Sequence, residues 1–169
     1  MSVNKYLPHV FVLPEDDANR QLANGFLLDD SLSIRRRRIQ VLEEVGGWTE
    51  VLERFKSDHI IEMDRNPHRL MVLLIDFDGR EDRLDIAKAA IPERLTQRVF
   101  VLGSLTEPEA LRRADLGSYE TIGKTLADEC RKDVYETWDH DLLRHNASEL
   151  ARLREHVRPI LFESTGSPP

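Results

Sequence analysis

The chain has 169 residues and a mass of 19.6 kDa, enough for one compact domain and too little for two ordinary ones. Hydrophobic residues make up 40% and charged residues 33%, a balance that excludes collagen-like, low-complexity and wholly disordered proteins. Lys and Arg number 24 against 31 Asp and Glu, so the formal net charge is −7. A chain this acidic is no general polyanion binder, and contact with nucleic acid would need a local basic patch or a bridging cation.

Residues 1–162 read as one domain, and 163–169 as a loose polar tail. The first apolar run, His9 to Leu13, is β-branched and aromatic, and Pro14 closes it. It is too short for a secretory core and meets acid at once in Glu15-Asp16-Asp17. Asp16 or Asp17 is placed to cap a helix carrying Leu22, Phe26 and Leu27. Ile34, Leu42 and Val45 are expected on a second helix, with Arg35 to Arg38 passing around it. Trp48, Leu52 and Phe55 recur at helical spacing in a third.

His59 to Met63 is a weak strand candidate, and Leu70 to Ile75 is a strong one. The latter is an unbroken apolar run closed by Asp76-Phe77-Asp78-Gly79-Arg80. Leu84, Ala87 and Ile91 mark the next helix. Val99 to Leu102 is the third apolar run, stopped by Gly103-Ser104. Ser118 is an N-cap for a helix with Ile122, Leu126 and Cys130 on one face. Asp139 is expected to cap a last helix, and Pro159 to Phe162 is a second weak strand candidate. Continuous rather than alternating apolar runs point to strands buried on both faces. The expected fold is therefore α/β, a mainly parallel sheet of about four strands with helices on both faces. The runs 10–13, 71–75 and 99–102 are expected at its centre.

Ligands of open parallel sheets collect outside the carboxyl ends of the strands. All three strong strands end in acid there. Glu15 alone reads equally as part of a capping segment. Asp76 and Asp78 alternate directly after an apolar run, which on an extended backbone puts two like charges on one side. A hard cation, Mg²⁺ or Mn²⁺, would relieve them. Arg35 and Arg36, with the rest of the basic run, are phosphate-contact candidates, although a solvated helix face is the commoner explanation of such a run. Arg80 and Lys124 are single phosphate-binding candidates beside their reading as ordinary surface charges.

The six histidines form no HExxH pair, and no GxSxG elbow, P-loop or GxGxxG occurs. The lone Cys130 allows no internal disulfide and fits a reducing, cytoplasmic setting. No apolar run approaches the length of a membrane span. A protein partner or homo-oligomer is left open.

An apolar strand ending in Glu15, a helix, and a later apolar strand ending in Asp76-Phe77-Asp78 resembles the TOPRIM domain of topoisomerases, bacterial primases and overcoming-lysogenization-defect nucleases. The resemblance runs from about His9 to Arg113. It implies a glutamate, Glu15, that acts as general acid/base or metal ligand. Asp76 and Asp78 would be the pair that holds Mg²⁺, in phosphodiester hydrolysis or transfer on nucleic acid. Asp16 stands where the family usually has Gly, and Gly79-Arg80 reverses its usual basic-Gly order. The segment from Leu73 to Gly79 also resembles motif one of haloacid-dehalogenase phosphatases. That likeness would make Asp76 a nucleophile, Asp78 an acid/base and Ser104 the second motif. A non-catalytic binding or scaffolding module of the same fold is the third possibility.

Overall fold

The computed structural model describes residues 3–33 and 38–162, and the expected tail 163–169 lies outside them. Four strands, β1 (His9–Pro14), β2 (Ile39–Val41), β3 (Arg69–Leu74) and β4 (Val99–Leu102), form one sheet in the order β2-β1-β3-β4. Every pairing is parallel, with Val12 opposite both Val41 and Val72, and Leu73 opposite Val101.

The apolar runs are continuous because both faces are covered. Val10, Val12, Leu70, Val72, Phe100 and Leu102 pack into one core with α1 (Asp17–Phe26), the short α5 (Glu109–Arg113), α6 (Tyr119–Lys132) and α7 (Ala147–His156). Their neighbours Leu13, Met71, Leu73, Val99 and Val101 face a second core. That core includes Val51 and Leu52 of α2 (Trp48–Arg54), Met63 of α3 (Ile60–Arg65) and Ala87 of α4 (Asp82–Ala89). Helices on both faces of a parallel sheet are the expected α/β class.

Four local expectations are corrected. His59 to Met63 is not a strand: a π-turn over Phe55–His59 joins α2 to α3 in one helical run. Pro159 to Phe162 is not a strand either. Pro159 lies in the first turn of the short α8 (Arg158–Leu161), where its missing N–H costs nothing. Of the helix expected over Ile34, Leu42 and Val45, Ile34 lies outside the described residues, and the strand β2 just before Leu42 pairs with β1. The last long helix starts from Asn146 rather than Asp139, and a 3₁₀ turn over Arg144–Asn146 precedes it.

The run 99–102 is also not central but an edge strand, and it is buried because α7 covers its open side. Glu149 accepts a hydrogen bond from the Val101 N–H at 3.2 Å. Asn146 takes the Gly103 N–H at 3.1 Å and returns its own amide to the Gly103 carbonyl at 2.9 Å. Two side chains thus do what a fifth strand would do for the exposed ladder.

Helix α1 is held close against α6. A Cβ at Gly123 would stand 2.0 Å from the Leu22 carbonyl oxygen, so only glycine allows this approach. No helix among the described residues is long and apolar enough to cross a membrane.

Candidate acidic site at the carboxyl edge

From β1 the chain crosses one face of the sheet to β2; it then passes over the other face to β3 on the far side of β1. The order reverses between β1 and β3, and doubly wound sheets open their ligand crevice at such a point. Glu15 and Asp76 stand there. The Glu15 N–H bonds the Leu74 carbonyl at 2.9 Å, so the two strand ends stay in register beyond the sheet. Glu15 Oε2 accepts the Asp76 N–H at 2.6 Å.

Asp16 is the N-cap of α1, and its Oδ1 accepts the Asn19 N–H at 2.8 Å. Asn19 is fully buried and gives its side-chain amide to two acids, Asp16 Oδ1 at 3.0 Å and Asp76 Oδ1 at 2.9 Å. Glu15, Asp16 and Asp76 are therefore linked through one amide and one backbone N–H.

Asp76 and Asp78 do not lie on one extended edge. The strand ends at Leu74, and Asp78 and Gly79 both take positive φ, 50° and 68°. The turn is closed by the Arg80 N–H on the Phe77 carbonyl at 2.8 Å. An Asp-Gly pair is the composition such a left-handed turn favours. Asp76 is left buried and Asp78 in solvent, where it pairs with Arg83 at 2.9 Å. Arg83 also donates to the Asp76 carbonyl at 2.6 Å and lies over the Trp48 ring at 4.6 Å. Below the turn, a Cβ on Gly103 would come within 1.5 Å of the Ile75 carbonyl oxygen. Glycine is required where the ends of β3 and β4 draw together.

Burial pushes the Asp76 carboxyl up to about 8; Glu15, Asp16 and Asp78 add to the rise while the Asn19 amide opposes it. Burial raises Glu15 as well, partly offset by the Asp76 N–H. The company of Asp76 differs from that of Glu149, the other deeply buried acid at this sheet. Glu149 meets Lys88 at 2.6 Å and Arg152 at 2.7 Å. Among the described residues no lysine or arginine pairs with the Asp76 carboxylate.

Arg80 is exposed and forks onto Asp82 at 2.7 and 3.2 Å. Lys124 is exposed on α6, one residue beyond the α1 contact. Arg35 and Arg36 lie outside the described residues; Arg38 of the same run donates to the Pro8 carbonyl at 2.9 Å. Ser104 is buried with its hydroxyl on the Thr106 carbonyl. The Cys130 thiol is pushed by burial up to about 11, which suits a core residue rather than a nucleophile.

Asn19 and Arg83 are the site residues that sequence reasoning missed. Asn19 carried one signal, its place three residues after a capping aspartate. Arg83 carried none. Comparison with protein-family models, curated proteins and solved structures finds no match.

Among the described residues no three His, Cys, Asp or Glu side chains already form a metal cage. The donor set is nonetheless of the right chemistry. Mg²⁺ commonly takes one or two carboxylates and keeps several waters, and a buried acid beside others without a facing cation is such a partner.

Proposed function

We propose that this chain is a TOPRIM-like domain that holds Mg²⁺ or Mn²⁺ at its acidic edge and hydrolyses or transfers phosphodiesters of nucleic acid. The observation that supports this is Asp76, buried at the switch point with three acids around it and, among the described residues, no basic side chain on its carboxylate. The ion would be held by Asp76 with Glu15 or Asp16, and Asp78 lies at the mouth. Bound there, it supplies Lewis-acid polarisation of a phosphate oxygen.

The chain's own groups do the rest. Glu15 keeps a proton to higher pH than an exposed glutamate, which suits it to proton transfer at Oε1 while Oε2 stays on the Asp76 N–H. Asn19 orients Asp16 and Asp76, and Arg83 fixes the turn between the aspartates. Arg80 can exchange Asp82 for a phosphate at little cost, because an ion pair exposed to solvent is weak.

Thermal melts with and without millimolar Mn²⁺ test the site, since an ion that binds only the native state raises Tm by mass action. The wild type should be stabilised and Asp76→Asn should lose the response. With Mn²⁺ the protein should cleave DNA or RNA and leave p-nitrophenyl phosphate intact. Turnover of the small ester would favour the phosphatase likeness instead. A cation response without turnover of any of these assigns the edge to binding alone, and indifference to Mn²⁺ rejects the site.

A further inference from the structure

We infer that the core between the sheet and helices α1, α6 and α7 contains a second ligand site, a cavity of about 130 Å³ that takes a small apolar molecule carrying one N–H or O–H donor. Val72 and Leu102 form its floor, and Ala23, Leu126 and Leu153 its walls. Apolar cavities of about this size, near 150 Å³, remain dry and admit single-ring ligands.

The donor requirement comes from Asn19, which also lines the cavity. Its Nδ2 is committed to Asp16 and Asp76, while its Oδ1 is buried without a partner. Turning the amide over would set Oδ1 against two carboxylates, so the acceptor stays where it is. The other hydrogen-bonding groups of the lining, the weak thiol of Cys130 aside, have partners, with Arg154 on Asp133 at 3.2 Å. Ser104 bonds the Thr106 carbonyl, Asn146 the backbone of Gly103, and the Trp138 indole N–H the Leu126 carbonyl. Arg158 bonds the Cys130 and Arg131 carbonyls, and the Tyr135 hydroxyl donates to Asp133. An unmet acceptor on a residue that lines an otherwise apolar chamber calls for a ligand with one donor to reach it. This site does not depend on cation binding at the acidic edge, although the shared Asn19 amide joins the two.

Fluorine NMR titration of the full chain with para-fluorophenol and para-fluorotoluene tests the inference. Both should bind, with the phenol about tenfold tighter because its hydroxyl meets an otherwise unpaired acceptor. The Asn19 side-chain amide resonances should move with the phenol. Ala23→Leu and Leu153→Phe each fill the chamber from a different wall, and each folded variant should lose both probes. No binding of either probe, equal affinity for the two, or binding that survives both filling variants overturns the inference.

Discussion

Asp76 and Glu149 are both carboxylates sealed from water beside the same sheet, and their neighbours separate their roles. Lys88 and Arg152 neutralise Glu149 at the edge of β4. Asp76 has an amide and three acids, and its carboxyl titrates at about 8 instead of 3.8. The native state therefore holds a proton that the unfolded chain releases. Stability from this neutral form is full below about pH 4 and is lost as pH rises through about 8, by linkage. The loss is on the order of a few kcal/mol. Asp76→Asn keeps an acceptor for Asn19 without the charge, so urea melts should show the wild type weakening against the variant between about pH 5 and about pH 8. A parallel pH dependence in the two proteins would mean that Asp76 stays ionised throughout. A cation competes with the same proton, so the Mn²⁺ stabilisation of the wild type should grow over this interval.

At the scale of elements, the edge of β4 depends on side chains in place of a strand. Asn146→Ala would leave the buried N–H and C=O of Gly103 unpaired, and each such group costs about 1–3 kcal/mol. The variant should lose about 2–4 kcal/mol in chemical denaturation, with hydrogen exchange quickened first at Gly103 and Val101. Unchanged protection there would mean that water replaces the side chain. β1, β3 and β4 were legible because burial on both faces leaves unbroken apolar runs. β2 was not, since a three-residue strand behind a basic run has no pattern of its own. His59 to Met63 and Pro159 to Phe162 misled because a short apolar run fits a strand or a turn of helix equally. The acids at the strand ends were visible through the sheet rule alone. Asn19 and Arg83 were not, because their partners at Asp76 and Asp78 are brought to them by tertiary packing.

For the molecule as a whole, the net charge of −7 sets how a polyanion could approach. Many of the arginines are already spent on neighbouring acids: Arg20 on Asp17 and Glu44, Arg94 on Asp64, Arg113 on Glu107. The acidic crevice repels phosphate until a cation reverses its local charge. Binding of a short DNA duplex should therefore be absent in chelator and appear with Mn²⁺, and Asp76→Asn should abolish it. Each phosphate neutralised by protein contributes about −0.9 to the slope of log K against log of monovalent salt. With Arg80 as the cation beside the Asp78–Gly79 turn and Lys124 counted as a second contact at most, the slope should be no steeper than about −2. Replacing Arg35 and Arg36 by glutamine should leave that slope unchanged. Fluorescence anisotropy across a salt series in both metal conditions decides the matter. Binding that persists in chelator with a slope near about −4 would instead assign DNA contact to the Arg35–Arg38 run and remove the cation bridge from the account.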